Sequence, residues 1–445
     1  MKKPRVPPGR DVVFRKAVED NRFSEVFQKV TSPFVKGEYL HWDKLRYHEP
    51  PNGLSLEEWW LGLKLRRPLD NTVPLKGTSG RDFGYVFTQP MVERLREIDL
   101  GAGGTIQMPE QITNPDTKDR YYVRSLIEEA ITSSQMEGAV TTRPVAKEMI
   151  RSGRKPSDRS EQMILNNFVT MRRLGELKDK PLTKELVFEI HRLITENTLD
   201  DPSAAGRFRR EDKDPKVVVG DEYGEVYHEP PPDSQLDKRM QAMCDFGNAR
   251  TPSEFIHPVL KSIILHFWLA YDHPFVDGNG RTARALFYWS MLHHGYWLCE
   301  FISISPIILK APAQYQLAFL YTETDENDLT YFMLYHLNLI HRALRQLHDY
   351  IKRKSKQVRK LEIEHHGVAT LNHRQRALIG HALRHPNQVY TIKSHQISHN
   401  VVYETARRDL QELAASGVLA EKKKVHKTRS FTPANDLESR LSQLS

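Results

Sequence analysis

Cysteine is nearly absent. Two residues, Cys244 and Cys299, leave no disulfide framework and point to a reducing, cytoplasmic setting. Also missing is any apolar run of the ~18 residues needed to cross a bilayer. The basic opening, Met1-Lys2-Lys3-Pro4-Arg5, has no apolar stretch behind it, so neither signal peptide nor membrane partner is expected. No Gly-Lys-Ser/Thr closes a Walker loop, and no β-branched strand precedes the glycines at 278 and 280, which excludes a Rossmann fingerprint. Charge is plentiful but unevenly placed. Residues 341–430 hold 19 Lys and Arg against 7 Asp and Glu in a chain of formal charge +8, so this stretch is near +12 and the remainder near −4. Such asymmetry points to a nucleic-acid partner at the basic end.

What is present is concentrated in twelve residues, His273-Pro274-Phe275-Val276-Asp277-Gly278-Asn279-Gly280-Arg281-Thr282-Ala283-Arg284. The glycines let the backbone turn tightly and bring its N–H groups against a ligand. A helix is predicted from Arg281 to Leu292, ending near Gly295. Its N-terminus, with free donors and the positive dipole end, favours an anion. Arg281 and Arg284, three apart, share a helical face and can hold two phosphates. Asp277 is placed to bind Mg²⁺ shared with those phosphates. His273 is the one side chain here that accepts a proton near neutral pH. Together these residues describe phosphate-anhydride chemistry with a general base.

The twelve residues resemble the motif of the Fic family, His-Pro-Phe-x-Asp/Glu-Gly-Asn-Gly-Arg-x-x-Arg, at every fixed position. The resemblance implies transfer of AMP from ATP to a Ser, Thr or Tyr hydroxyl of a protein, self-modification included, with release of pyrophosphate. His273 would deprotonate the target and Asp277 would bind Mg²⁺. Gly278, Asn279 and Gly280 would form an anion hole for the α- and β-phosphates. Arg281 would hold the phosphate chain, and Arg284 would reach the γ-phosphate. Every one of these residues addresses phosphate and none addresses the base.

Upstream, Val123, Leu126, Ile127, Ala130, Ile131 and Met136 recur at helical spacing, so a helix is expected over 121–138 with Gly138 as its cap. It ends in Ser133-Ser134-Gln135-Met136-Glu137-Gly138, which resembles the inhibitory motif of the second Fic class. By that resemblance Ser133, Glu137 and Gly138 form an inhibitory element in which Glu137 pairs with Arg284, since carboxylate and phosphate compete for one guanidinium fork. Helices are expected at 161–173 and 183–195, followed by Ala205-Gly206-Arg207-Phe208-Arg209, read as structural. Two short β-prone runs, Lys216–Gly220 and Gly224–His228, predict a hairpin at 216–230 stopped by Pro230-Pro231-Pro232. The family resemblance makes this hairpin a flap that docks the target along its backbone, with Val226, Tyr227 and His228 at the docking edge.

His257–Tyr271 is apolar on nearly every face and predicts a buried helix leading to His273, with His266 a core histidine. Ala313–Glu323 and Thr330–Leu347 predict further helices. Tyr315 would meet adenine by analogy with a family tyrosine. Lys352–Lys360 reads as the solvated face of a connecting helix. Residues 1–115 form an N-terminal extension with no catalytic constellation, Trp59 and Trp60 being read as core, and 109–118 as a polar linker.

The expected fold is mainly α: a Fic-type helical core at 116–355 with a β-hairpin flap, the N-terminal extension, and a small domain at 360–435. In that last unit helices at 374–385, 392–397 and 401–413 precede the basic Lys422–Phe431. Thr405-Ala406-Arg407-Arg408-Asp409-Leu410 resembles the recognition helix of winged helix-turn-helix domains, with Lys422–Phe431 as the wing. This leaves DNA, a protein contact or a homodimer open for that unit. Two other activities stay open beside AMP transfer: removal of AMP at the same site, and transcription regulation with a nucleotide-sensing core.

Overall fold

The computed structural model describes residues 2–103, 115–220, 223–252, 254–364, 371–383, 385, 388–425 and 428–441. Most of the proposed 109–118 linker, the hairpin turn at Asp221-Glu222 and the Pro386-Asn387 turn lie outside them. So do side-chain placements from Lys354 to Lys360 and from Lys422 to Thr428.

The molecule is mainly helical, and two antiparallel helices form its centre. Pro258–Asp272 and Asn279–His293 pack along their lengths. Ile263, Phe267, Trp268, Leu286, Phe287 and Trp289 are all essentially inaccessible to solvent. A helix apolar on all sides must be enclosed, and each such large side chain contributes about 1.5–3 kcal/mol through burial. The enclosure is built by Pro115–Gln135, Arg159–Leu177, Lys184–Thr195 and Thr330–Glu364. Asp158 accepts from Glu161 N–H, and Thr183 from Leu186 N–H, so local side-chain caps fix two of these starts. The helix expected at 121–138 gives up its last residues to a turn, because Gly138 at φ +92° lets the chain leave the axis after Gln135.

Several helices escaped the reading of the sequence, among them Leu56–Leu65, Arg143–Ser152 and Asp233–Gly247. Asp233–Gly247 follows directly on the prolines and buries Leu236, Met240, Met243 and Cys244. Those four recur at helical spacing. The helices expected at 330–347 and through Lys352–Lys360 are one continuous element, Thr330–Glu364. The expected hairpin is present but short, Val219–Gly220 against Val226–His228, antiparallel with Val219 opposite His228.

Residues 71–103 contribute to the central core. Strands Asn71–Lys76 and Asp82–Tyr85 pair antiparallel, and Phe83 packs edge-on to Phe267 and Tyr271 at 5.2 and 5.1 Å. Farther upstream Val26, Leu45 and Trp60 make a smaller core, with Trp59 and Trp60 both buried. This unit is held to the helical body by a buried polar cluster: Lys64 Nζ lies 2.9 Å from Asp325, Tyr331 donates to Asp325 at 2.8 Å, and Tyr39 donates to Asp328 at 2.7 Å.

The C-terminal unit has helices His373–Ala382, Ile392–His399 and Tyr403–Ala415 and strands Tyr390–Thr391, Leu419–Val425 and Thr428–Pro433, with the last strand central in the sheet. Its own core holds Ile379, Leu410, Leu413 and Phe431. Under the third helix the buried Asp409 accepts from Arg374, Asn372 and His395. These partners outweigh its burial and hold its carboxyl far below the usual range. Helix Ile392–His399 rests on Pro115–Gln135 and Arg143–Ser152, and Lys393 donates to the Gly153 carbonyl at 2.9 Å. No helix among the described residues is long and apolar enough to cross a membrane.

Candidate active site

His273 ends the central helix in the left-handed conformation, φ 46°, ψ 55°. That conformation swings its ring off the axis and into a cavity. The backbone there is held from outside: Arg209 Nε donates to the His273 carbonyl and Arg209 N–H to the Pro274 carbonyl, both at 2.9 Å. One residue earlier, the buried Asp272 accepts from Arg239 at 2.7 Å and Trp268 at 3.0 Å. The His273 Nδ1 lies 3.1 Å from the Ala270 carbonyl. A carbonyl can only accept, so Nδ1 carries the proton and Nε2 keeps its lone pair. Burial is the main force on this ring and pushes its pKa down to about 4, against the Ala270 carbonyl and Glu137, which favour the charged form. The imidazole is therefore neutral at physiological pH, the state a general base requires.

The loop from Phe275 to Gly280 is shaped by two side chains. Asn279, buried, accepts from Phe275 N–H at 2.9 Å and donates to the Phe275 carbonyl at 2.8 Å. Its amide side chain thus closes the loop, leaving the backbone to meet a ligand. His191 stacks on Phe275 with centroids 3.8 Å apart. Its Nδ1 accepts from Gly206 N–H and its Nε2–H donates to the Asp277 carbonyl, each at 2.9 Å. Burial pushes its pKa down to about 4 as well, so it is neutral in this tautomer. Gly278, at φ +81°, sits where a Cβ would come within 2.8 Å of Thr195 Cγ2.

Helix Asn279–His293 starts at this loop and points its N-terminus into the cavity of ≈ 270 Å³ bounded by His273, Asp277–Gly280, Glu137 and Pro215–Val218. Arg281 is 1% exposed and donates to the Ile194 carbonyl at 3.2 Å, yet its Nε and Nη2 have no hydrogen-bond partner. Asp277 is the nearest acid, 3.5 Å from Nη2. Two unsatisfied guanidinium donors at a helix N-terminus are what an anion would satisfy.

Arg284, 2% exposed, is fully engaged with the preceding segment. Its Nε donates to Ser133 Oγ at 2.8 Å, and its Nη2 donates to the Ser133 carbonyl at 3.0 Å and to Glu137 Oε1 at 2.8 Å. A Cβ placed on Gly280 would collide with the Glu137 carboxylate, so that carboxylate lies directly over the helix start. Gly138 makes the turn that allows this, its N–H donating to Gln135 O at 3.2 Å. The helix carrying Glu137 is itself anchored through buried Glu129, which accepts from Ser303 Oγ at 2.7 Å and Ser305 N–H at 3.1 Å.

Burial alone would raise the Glu137 pKa, but Arg284, with help from Arg281 and His273, more than reverses that and lowers it below the ordinary 4.5. A carboxyl lowered on folding contributes stability above its unfolded value and loses it as pH falls through the folded value. The Glu137–Arg284 pair is therefore expected to persist from about pH 8 to about pH 5 and to open only at lower pH. Any anion that competes with Glu137 for Arg284 should therefore bind no more tightly at pH 6 than at pH 7. A rise in binding between pH 7 and pH 6 would contradict this.

The other assigned residues fall in two groups. Asp277, with its side chain 42% exposed, sits at the cavity mouth, where Gly278 N–H donates to Oδ1 at 2.5 Å. Its hard carboxylate oxygens suit Mg²⁺. No group of three or more His, Cys, Asp or Glu among the described residues could hold a metal, so an ion at Asp277 would draw its remaining ligands from phosphate and water. Tyr315, half-buried, joins its hydroxyl to His266 Nε2 at 2.9 Å, and His266 is buried as expected of a core histidine. In the hairpin, Val226 and Tyr227 are half-buried. His228 is 9% exposed and bonds Tyr271 O and Glu323 Oε2, both at 2.7 Å. Its side chain ties the hairpin to the helical body. His191 and Asp272 were not singled out from the sequence, and Arg209 was read there only as part of a structural stretch. The one available signal was their place in strongly patterned helices or beside a glycine turn.

Comparisons with known proteins fit this geometry. A protein named protein adenylyltransferase Fic from Nematostella vectensis is 29% identical over 180 residues, 40% of this chain and 39% of that one. One of the same name from Drosophila willistoni is 35% identical over 115 residues, 26% of this chain and 20% of that one. The matched segments thus span well under half the length of these relatives. A Fic family protein from Desulfovibrio desulfuricans G20 superposes with a TM-score of 0.50 at 19% identity, covering 79% of this chain and 98% of that one, so the two share the Fic fold. The stretch that matches the Fic/DOC family is residues 181–291, which carries His191, Arg209 and the whole of His273–Arg284.

Proposed function

We propose that this protein is an autoinhibited protein adenylyltransferase that moves AMP from ATP to a Ser, Thr or Tyr hydroxyl, its own included. The observation that carries the reading is the Glu137 carboxylate lying over Gly280 and paired with Arg284. Its removal would leave Arg284 without its acid partner and uncover the helix N-terminus at Gly280 that lines the cavity.

In this reading the target hydroxyl oxygen bonds to the α-phosphorus while the bond from that phosphorus to the bridging oxygen breaks, and pyrophosphate departs. His273 Nε2 takes the hydroxyl proton. Backbone N–H groups from Gly278 to Gly280 and the two free donors of Arg281 neutralise phosphate charge, an electrostatic role in a preorganised site. Mg²⁺, held by Asp277, would supply further charge neutralisation on the phosphates. The test is transfer of label from α-labelled ATP to protein by wild type and Glu137→Gly.

A second reading keeps the site and reverses the traffic: Glu137, close enough to His273 for its charge to act on that ring, orients a water that releases AMP from a modified protein. The same variant separates the two.

For the C-terminal unit we infer a winged helix that binds DNA. Its third helix exposes Tyr403 and Arg408 at 54% and 68%, with Val402 at its start 68% exposed, while its opposite face is buried, and the stretch is strongly basic. The expected outcome is a gel shift that weakens steeply between about 50 and 200 mM salt and weakens further with Arg408→Ala. No shift at low salt would assign the unit to protein contacts.

A further inference from the structure

Three successive carbonyls in the last turn of helix Pro258–Asp272 each meet a donor. The Leu269 carbonyl accepts from His273 N–H at 3.0 Å, and the Ala270 carbonyl from His273 Nδ1–H at 3.1 Å. The Tyr271 carbonyl accepts from His228 Nε2–H at 2.7 Å. The proposed base and a histidine of the hairpin therefore finish the same helix end, where carbonyls have no partner of their own. On its other edge His228 Nδ1 lies 2.7 Å from Glu323 Oε2, on helix Pro312–Thr324. The ring also tilts against that of Tyr271, with centroids 4.5 Å apart. The His228 side chain is 8% exposed and that of Glu323 19%.

Both edges of the ring thus face acceptors. A carbonyl only accepts, which fixes one proton on Nε2, and a carboxylate accepts from Nδ1 only if the ring carries a second. A neutral imidazole could serve one partner but not both. Burial opposes charge on this ring, but Glu323, the Tyr271 carbonyl and Asp272 more than reverse it and raise its pKa above the ordinary 6.5. Asp272 is itself held by Arg239, and the negative end of the helix favours a cation as well. On the hairpin, Lys216 and Glu229 pair with each other at 3.4 Å in solvent. The charge on His228 adds to the burial that keeps His273 neutral. Across the hairpin His228 stands opposite Val219, and the four residues before Val219, Pro215–Val218, form the cavity wall that faces His273.

We propose that His228 is a positioning residue, a doubly bonded imidazolium that locks the cavity wall at Pro215–Val218 to the helix end carrying His273. Wall and base are then registered to each other, so a hydroxyl lying against the wall meets His273 Nε2 at a fixed place. The inference rests on the transfer reading above and adds the residue that sets the two sides of the site against one another. A histidine raised on folding contributes its tether fully below 6.5 and loses it as pH rises through the folded value. Transfer should therefore fall on the alkaline side, where His273 itself does not titrate.

The test uses the full chain carrying Glu137→Gly, following label from α-labelled ATP into the protein itself and into lysate protein between pH 6 and pH 9. Mg·ATP affinity is measured beside it by calorimetry. Adding His228→Ala should slow labelling at pH 6 about three- to tenfold, the span of a hydrogen bond to a charged partner, and change ATP affinity less than about twofold. His228→Gln, which keeps a donor for the Tyr271 carbonyl, should recover part of the loss and show no alkaline fall. Glu323→Gln should move that fall to lower pH. Full labelling by His228→Ala, an alkaline fall that survives His228→Gln, or ATP affinity lost in step with labelling would each overturn the proposal. Failure of Glu137→Gly alone to bind ATP or label protein would instead sink the transfer reading, and the tether is then judged in the wild type without nucleotide. Two protonated nitrogens at His228 in ¹⁵N spectra at pH 6, and faster amide exchange across the hairpin in His228→Ala, support it. A single protonated nitrogen at pH 6, or unchanged exchange, overturns it.

Discussion

Glu137→Gly is expected to transfer labelled AMP to protein on the order of a hundredfold faster than the wild type. Arg284 is buried and Glu137 is 27% exposed, so breaking this pair is worth ~3 kcal/mol, the low end for a buried pair, and each 1.4 kcal/mol is about tenfold. The free variant should also melt earlier, because Arg284 is left buried and unpaired, and Mg·ATP should restore the lost stability by occupying the same guanidinium. The anchoring of the Glu137 helix through Glu129, Ser303 and Ser305 means that only the side chain has to leave. Unchanged labelling, together with loss of AMP removal from a modified protein, would favour the reverse reaction and make Glu137 a water-orienting group.

His273→Ala, in the Glu137→Gly background, is expected to lose AMP transfer by about 10²–10⁴-fold, the usual contribution of a positioned general base. Mg·ATP affinity should barely move, because the phosphate-facing groups are backbone N–H, Arg281 and Arg284, all held by residues other than His273. The loss should therefore fall on kcat and leave KM nearly unchanged. Since the ring is neutral down to about pH 4, the parent should show no acid limb near pH 6.5 from this group. A variant that labels protein as fast as its parent would remove His273 from the chemistry.

The motif helix, the buried helix before it and the Glu137 turn were legible in the sequence for physical reasons. Pro258–Asp272 is apolar on every face, and a helix of that composition has nowhere to be but inside. Gly278 and Gly280 sit where the backbone turns or where another group comes close, and Gly138 offered a turn where one was needed. The supporting layer was less legible. His191 holds Asp277 through a ring whose neighbours are set by three separate segments, and Arg209 reaches His273 from 64 residues away. Nothing in local spacing announces such a contact. His228, named on the hairpin from its position, also turns its ring to Glu323, 95 residues later. Asp233–Gly247 had helical spacing and was passed over behind three prolines. The hairpin at 71–85 pairs locally and was passed over, while the packing of its Phe83 on Phe267, nearly two hundred residues on, lay beyond local spacing.

The proposed autoinhibition requires the Glu137 carboxylate to stand where a terminal phosphate would bind. A calorimetric titration of wild type and Glu137→Gly with Mg·ATP and with Mg·ADP tests this directly. Weak or no ATP uptake is expected for the wild type, tight uptake for the variant, and a distinctly smaller gain for ADP, which has no γ-phosphate to meet Arg284. Equal affinity of both proteins for ATP, or equal gains for ATP and ADP, would contradict it.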